Sequence, residues 1–414
     1  MQPGGTDRER ARVPLPPPIM TSEPGSFARR TIVERKPAII ADVLSGLSNH
    51  KQVAKRLRDL QSEISRGHVT PPPAGIPLYY EWLAEWQQWE GRTWLEIPWY
   101  FAEAYFYVRL LSAIGYFEGL VGDPFEDQKR VLLGHCGAIL PSLGRTQEAV
   151  SRLAPPQAFA ALARRSLWGN RLDLSNVAIT DRHRHDPSHL DDADLVVDHC
   201  PAAYETVSFA PGRPVTFLCD NCGPELLADL HLADWLLRNA TGQVILEVKP
   251  QPFFVSDAMP KEVEAMLQFL AHSDEPEARR LAVRLERAIG EERLLVRSHP
   301  FWTGPHHYTR LPADLAACLA ASSLVISKGD VNYRRFLEDR QWPFQTPIED
   351  IVDYFPASVL LLRTFKGELA AGLDDDSVRR LAREDPEWLI SGRHGVAQFA
   401  PRASGRRSCG CRRA

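Results

Sequence analysis

The chain has 414 residues, of which 44% are hydrophobic and 25% are charged, and its formal net charge at pH 7 is -4. This length and apolar content are enough to bury a large core, and they suggest two or three domains or one large domain with a cap. The 49 basic side chains are balanced by 53 acidic ones, so no overall basic field favours nucleic acid as a partner.

The sequence gives no sign of a membrane partner. No stretch approaches the roughly 20 consecutive apolar residues that a membrane helix needs. The N-terminus is rich in proline and arginine and lacks the apolar core of a secretory signal. The seven cysteines are sparse, which is typical of a reducing compartment. We therefore expect a cytoplasmic protein, and the lack of a long coiled-coil seam favours a monomer.

The hydrophobic pattern divides the first part of the chain from both of its ends. Residues 1–25 and 402–414 have few apolar side chains, so they are predicted to be disordered tails, of which the second is basic. Residues 26–154 repeat apolar side chains at every third or fourth position. This period is typical of amphipathic helices and predicts a helical N-terminal domain.

From residue 155 to residue 401 the pattern changes to short β-branched runs that alternate with helical segments. These runs lie at residues 195–197, 215–218, 244–248, 294–296, 324–326 and 359–362. Such an alternation predicts an α/β domain with a mostly parallel sheet covered by helices.

Oxygen-bearing side chains follow two neighbouring runs. Asp220 and Asn221 come just after residues 215–218, and Asp257 follows residues 244–248. Because ligands of open α/β sheets bind beyond the carboxyl ends of the strands, we expect these side chains to converge and to act in catalysis. Hard cations such as Mg²⁺ and Mn²⁺ prefer oxygen ligands, so the pattern predicts a metal site. An Asp-Asn pair before a helix is also a common N-cap, and the prediction therefore depends on the convergence.

Basic side chains follow the last two runs. Lys328 and Arg334 come after the fifth run, and Arg363 and Lys366 come after the sixth. We predict that these cations neutralise a metal-bridged phosphate, the arginines through paired hydrogen bonds and the lysines as point charges. An ordinary turn and a solvated strand end are the respective alternatives.

Two further patterns are compatible with metal or redox chemistry. Cys219 and Cys222 form a CxxC pair at a strand-to-helix junction, but the sequence contains no second CxxC pair. The histidines at positions 183, 185, 189 and 199 lie in an acidic stretch and are interpreted as surface-loop residues. Neither pattern is favoured over the carboxylate site.

Four blocks, in their order and spacing, resemble the damage-control phosphatase family, also called domain of unknown function 89. The resemblance is to its subfamily marked by an Arg-Thr-x-Lys motif, which is also described as acidic-residue methyltransferase-like. The blocks lie at residues 166–175, 220–230, 249–257 and 328–334, the last followed by the motif itself at residues 363–366. The resemblance extends from about Phe27 to residues 395–399.

The resemblance implies a helical N-terminal domain on a three-layer α/β/α domain. It implies a Mn²⁺, Co²⁺, Ni²⁺ or Mg²⁺ ion bound through Asp220, Asn221 and Asp257. The positions that it implies for the substrate site are Glu225, Asp330, Asn332, Tyr333, Arg334 and Lys366. Asn170 is a candidate for sugar recognition, with an ordinary turn as the alternative interpretation.

The predicted function is divalent-metal-dependent hydrolysis of phosphomonoesters of small metabolites. What the resemblance implies for the substrate is a sugar phosphate such as fructose 1-phosphate or fructose 6-phosphate. One alternative is an S-adenosylmethionine-dependent protein carboxyl methyltransferase, although no Gly-x-Gly-x-x-Gly turn follows a strand. The other alternative is a metal-stabilised phosphosugar-binding protein without turnover.

Overall fold

The first part of the chain is helical, as its apolar period predicts. A computed structural model of the protein describes residues 14–47, 50–169 and 194–403. Its first eight α-helices are Phe27–Arg30 (α1), Lys36–Gly46 (α2), Lys51–Arg66 (α3), Tyr79–Gln87 (α4), Trp99–Ile114 (α5), Glu126–His135 (α6), Leu140–Ser151 (α7) and Pro155–Trp168 (α8). A π-helical turn, Thr31–Arg35, joins α1 to α2.

The second part alternates strands with helices. The strands are Leu195–Asp198 (β1), Val215–Leu218 (β2), Val244–Val248 (β3), Leu294–Ser298 (β4), Leu324–Lys328 (β5), Val359–Thr364 (β6) and Gly395–Ala400 (β7). The α-helices are Cys200–Ser208 (α9), Pro224–Asn239 (α10), Pro260–Ala271 (α11), Pro276–Gly290 (α12), Ala313–Ala320 (α13), Gly329–Phe336 (α14), Ile348–Ile351 (α15) and Asp375–Glu384 (α16).

The seven strands form one sheet in the order β1-β7-β6-β5-β2-β3-β4. All neighbouring strands pair in parallel except β6 and β7, which are antiparallel. The mostly parallel α/β sheet is therefore confirmed, and each of the six predicted runs lies in a strand. The strand β7 was missed, because its Gly, Ala and Gln residues do not form a β-branched run.

Helices cover both faces of the sheet. Phe217 and Leu246 pack into a core with α8, α10 and α12, whereas Val325 and Leu361 pack into a second core with α13 and α14. Since alternate residues of a strand point to opposite faces, these two cores define a three-layer α/β/α arrangement. This arrangement agrees with the expectation from the sequence.

The order of the strands places a crevice at the carboxyl end of β2. From β2 the chain proceeds to β3 and β4 on one side, and then returns to β5 on the other side of β2. Ligands of open α/β sheets bind at such a reversal point, because the connections that leave the two sides diverge there. The helices α2, α3 and α5 pack with Phe253 and Phe254, which follow β3, and so lie over this crevice.

A buried chain of charges joins the helical part to the sheet part. Lys36 Nζ lies 2.8 Å from Glu103 Oε1, and Arg334 Nη1 lies 2.6 Å from Glu103 Oε2. Arg334 also pairs with Asp339 at 2.8 Å. The chain has two cations and two anions and is neutral in itself, which is the condition for burying charges at tolerable cost.

Part of the predicted N-terminal tail is ordered. Ile19 is only 6% exposed, and its backbone bonds to Asp339 on one side and to Trp99 on the other. Thr21 donates a backbone hydrogen bond to Ile97. The tail assignment of residues 14–25 therefore needs correction, because a few apolar residues gain order by pairing with the folded chain. Residues 1–13 and 404–414 lie outside the described residues, as do Asn170 and the histidines at 183, 185 and 189. Among the described residues, no helix is long and apolar enough to span a membrane.

The buried His231 on α10 makes the stability of the fold sensitive to acid. Burial lowers the pKa of its imidazole from 6.5 to about 3. Between these values the unfolded chain binds a proton that the folded chain does not, so stability falls as the pH falls. We expect a loss of about 2 kcal/mol between pH 7 and pH 5 from this group alone.

Urea unfolding of the wild type and of His231→Met at both pH values measures this contribution. The variant is expected to lose less stability on acidification than the wild type, by about 2 kcal/mol. An equal loss in the two proteins would show that His231 is protonated in the folded state.

Candidate active site

The loops after β2 and β3 are held together by backbone hydrogen bonds. Ala258 N donates to Asp220 O and Cys222 N donates to Ser256 O, each at 2.8 Å. Asn221 and Asp257 form an isolated antiparallel bridge between the two loops. The structure therefore brings Asp220, Asn221 and Asp257 together at the carboxyl edge of the sheet.

The side chain of Asn221 links two carboxylates. Its Nδ2 atom donates to Asp220 Oδ2 at 2.8 Å and to Glu225 Oε2 at 2.9 Å. Its Oδ1 atom accepts a hydrogen bond from Ser256 Oγ at 2.6 Å. Glu225 lies in the first turn of α10, at the end that attracts negative charge.

Negative charge accumulates at this point. Burial raises the pKa of Asp220 well above its usual value, and the charges of Asp257 and Glu225 raise it further. Burial also raises the pKa of Asp257, against the opposing charge of Lys249. Lys249 Nζ lies 3.1 Å from Asp257 Oδ2 and donates to the carbonyl of Cys219 at 2.9 Å. Within the described part of the chain, Asp220 has no such ion pair.

The residues at this point fit a hard divalent cation. Two carboxylates and an amide provide oxygen donors, and burial together with the neighbouring carboxylates raises the pKa of Asp220, a cost that a bound cation would offset. Gly329 leaves the space open, because a Cβ atom there would lie 1.9 Å from Asp220 Oδ2. The amide of Asn221 presents its nitrogen to the carboxylates, so it has to turn about its soft terminal torsion to offer oxygen instead.

Four of the predicted substrate residues do not line the cavity above these carboxylates. They are Lys328, Asn332, Tyr333 and Arg363.

Lys328 is fully buried. It pairs with Glu225 at 3.1 Å and with Asp229 at 2.9 Å. It also donates to the carbonyl of Ser166 at 2.7 Å. In this structure Lys328 therefore neutralises carboxylates of the protein.

Arg363 is buried beside the cavity. It pairs with Asp330 at 2.8 Å, donates to the carbonyl of Gly367 at 3.0 Å, and stacks over the ring of Tyr333. Arg363 therefore holds Asp330, which does line the cavity.

Asn332 and Tyr333 support the backbone behind the site. Asn332 Nδ2 donates to the carbonyl of Lys328 at 2.9 Å, and its Oδ1 accepts from Tyr308 at 2.5 Å. Tyr333 donates to Gln398 at 3.1 Å. Both side chains are buried, so they fix the end of β5 and the interior of β7.

Three cationic side chains of the described chain line the cavity, namely Arg35, Arg334 and Lys366. Arg334 is engaged by Glu103 and Asp339, and its guanidinium lies 3.3 Å above the ring of Trp99. Lys366 has no hydrogen bond or ion pair to any described residue, and its charge acts on Asp220. Lys366 is therefore available to a ligand.

The sequence did not identify the part of the wall that comes from the helices. Phe27, Thr31, Arg35, Trp99 and Glu103 line the cavity. These five residues do not follow strands, so the rule about strand ends does not identify them. The apolar period places Trp99 in a helix but does not indicate a cavity. A glutamate, Glu103, within an apolar stretch of helix α5 was the signal available in the sequence.

A second acidic group lies elsewhere and is already paired with lysines. Asp123, Glu126 and Glu262 lie close enough together to share a cation. However, Lys129 pairs with Asp123 at 3.0 Å, and Lys261 pairs with all three carboxylates. These two lysines supply the positive charge that a metal would otherwise bring.

The fold and this site agree with one class of protein. Residues 31–381 match the damage-control phosphatase ARMT1-like domain. The chain therefore belongs to this family of phosphatases, as the four sequence blocks indicated.

Individual relatives share most of the length of the chain. The damage-control phosphatase ARMT1 of Danio rerio is 27% identical over 439 residues, covering 93% of this chain and 97% of the relative. The Homo sapiens protein of the same name is 28% identical over 436 residues, covering 93% and 98%. A solved structure of a DUF89 family protein from Pyrococcus horikoshii aligns over 90% of this chain and 96% of that chain, with 11% identity and a TM-score of 0.49.

Proposed function

We propose that this phosphatase hydrolyses phosphomonoesters of small metabolites, sugar phosphates such as fructose 1-phosphate and fructose 6-phosphate among them. The observation that carries the proposal is the joint placement of Asp220, Asp257 and Lys366 on one cavity wall. Two carboxylates fit a cation there, and a lysine that forms no ion pair with a described residue fits the phosphoryl oxygens beside it.

The metal that fits this donor set is a hard divalent ion, Mg²⁺, Mn²⁺, Co²⁺ or Ni²⁺, held by Asp220, Asn221 and Asp257. When bound, such an ion supplies Lewis acidity, which offsets phosphoryl charge and makes a water molecule more acidic.

The protein side chains have separate roles in the proposed reaction. Lys366 binds the phosphoryl oxygens and stabilises the charge that they carry in the transition state. Lys249 fixes the carboxylate of Asp257 through their 3.1 Å ion pair. Asp220 accepts a hydrogen bond from the attacking water and so orients it toward phosphorus.

Metal removal combined with a substrate panel tests the proposal. The purified protein is treated with a chelator, reloaded with one of the four metals, and assayed for phosphate release from fructose 1-phosphate, fructose 6-phosphate and p-nitrophenyl phosphate. We expect the chelated protein to lose at least a hundredfold in rate and to recover it on reloading.

Three outcomes would contradict the proposal. Full turnover in the chelated protein would remove the role of the metal. Binding of the sugar phosphates without any phosphate release would instead support the binding protein considered from the sequence. Transfer of labelled methyl groups to protein carboxylates, without phosphate release, would support the methyltransferase.

A further inference from the structure

One wall of the cavity comes from the beginning of the chain. Phe27, Thr31 and Arg35 line this wall, and Arg35 ends the π-helical turn between α1 and α2. Turns of this kind are rare and occur frequently at functional sites. This turn therefore makes Arg35 a candidate functional residue, although Arg35 has no role in the proposed reaction.

The guanidinium of Arg35 is available to a ligand. The side chain is exposed, and no described residue forms a hydrogen bond or an ion pair with it. The next residue, Lys36, is buried and fixed by Glu103 at 2.8 Å. The backbone that carries Arg35 is therefore held in place, while no described residue uses the five N–H donors of its side chain. A fixed backbone lowers the entropy cost of binding.

Arg35 and Lys366 act on different parts of the cavity. Lys366 follows β6, at the edge of the sheet that carries Asp220. Arg35 ends the turn before α2, and the next residue, Lys36, pairs with Glu103 of α5. Lys366 therefore serves the phosphoryl end of the cavity, and Arg35 lies nearer the end formed by the helices.

The charges around the cavity indicate what lies at the Arg35 end. The ion pairs beside this cavity cancel within themselves, except that Lys328 pairs with two carboxylates and Asp220 forms no ion pair with a described residue. The second carboxylate beside Lys328 and the carboxylate of Asp220 contribute two negative charges. The positive charges of Arg35 and Lys366 balance them, so the charged side chains around the cavity have a net charge of zero. A divalent cation and a phosphomonoester dianion then cancel each other. A second anionic group on the substrate would remain without compensation.

We propose that Arg35 determines substrate specificity by donating hydrogen bonds to an uncharged, hydroxyl-rich leaving group of the phosphomonoester. This inference rests on the proposed function and adds the residue that recognises the leaving group. The hydroxyl and ring oxygens of a sugar are acceptors that match the fork of N–H donors. A leaving group without such oxygens gains nothing from Arg35.

A comparison of two substrates tests this role. Fructose 6-phosphate carries hydroxyl groups on its leaving group, whereas phenyl phosphate carries none. We expect Arg35→Ala to lower kcat/KM for fructose 6-phosphate at least tenfold, mainly through KM, and to leave kcat/KM for phenyl phosphate within twofold. Lys366→Ala is expected to lower both values, because it removes a contact with the phosphoryl group that the two substrates share.

Calorimetry provides a readout that does not depend on turnover. The dissociation constant of inorganic phosphate from the metal-loaded protein should be unchanged in Arg35→Ala and weakened in Lys366→Ala. Arg58→Ala, at an exposed position of α3 away from the cavity, is the matched control and should behave as the wild type. Arg35→Lys should retain part of the kcat/KM for fructose 6-phosphate that Arg35→Ala loses, because a single ammonium group replaces the forked N–H donors of the guanidinium.

The role of Arg35 and the proposed phosphatase function would be contradicted by different results. An equal loss for both substrates in Arg35→Ala would place Arg35 at the phosphoryl group and overturn the inference, while phosphatase activity stands. No loss for fructose 6-phosphate would also overturn it. Absence of phosphate release from the wild type with every metal would overturn the proposed function.

Discussion

Replacing Asp220 by asparagine is expected to abolish metal-dependent phosphate release and to leave the protein folded. The substitution keeps the shape of the side chain but removes a carboxylate that we assign to the metal. Hydrolysis of fructose 6-phosphate should fall at least a thousandfold, because the loss of one preorganised charge alone costs about a hundredfold or more and the metal is lost as well.

The stability of the variant should change in the opposite direction when no metal is present. Asp220 lies beside Asp257 and Glu225, and these charges, added to burial, raise its pKa. Removing one of three adjacent carboxylates relieves repulsion, so the chelated variant should melt at or above the temperature of the chelated wild type.

Addition of Mg²⁺ or Mn²⁺ should raise the melting temperature of the wild type only, because only the wild type binds the ion in its folded state. Asp314→Asn, at an exposed site, controls for a general effect of lost charge. An Asp220→Asn protein that still gains stability from the metal would place the ion elsewhere.

Gly329→Ala is expected to have the second largest effect. Gly329 has a φ angle of +81°, and an added Cβ atom would lie 1.9 Å from Oδ2 of Asp220. The left-handed backbone conformation alone costs about 1–2 kcal/mol for a residue with a side chain. The clash then displaces the Asp220 carboxylate, so we expect at least a hundredfold loss of phosphate release.

Gly91→Ala is the matched control for this substitution. Gly91 has a φ angle of +75°, and nothing lies within 4 Å of an added Cβ atom. This variant should lose about 1 kcal/mol of stability and retain full activity. Equal activity in the two variants would show that the space between Gly329 and Asp220 is not needed for the reaction.

The convergence of Asp220 and Asp257 was predictable from the sequence because it depends on the topology of the sheet. Residues at the ends of neighbouring parallel strands meet at one edge, whatever the details of packing. Asp220 and Asp257 follow β2 and β3 in this way, and both line the same cavity. The strands β2 and β3 were also predicted with their observed bounds.

The partners of the basic residues were not predictable in the same way. Lys328 and Arg363 follow β5 and β6, yet they pair with Glu225 and Asp330 of the protein. Which anion a lysine or arginine contacts depends on tertiary packing across distant segments, and one sequence contains no direct signal for it. Arg35 was missed for a related reason, because it lies on the helical part and not at a strand end.

The cavity unites the two ends of the folded chain. Its wall begins at Phe27 and continues to Lys366, so residues separated by most of the sequence have to meet before a ligand can be enclosed. Such long-range contacts form late and slowly during folding. A nascent chain that has exposed only α1 to α8 therefore contains the helical wall but lacks Asp220 and Asp257, so we expect it to be inactive. Activity begins only when β6 and the loop after it have joined the sheet.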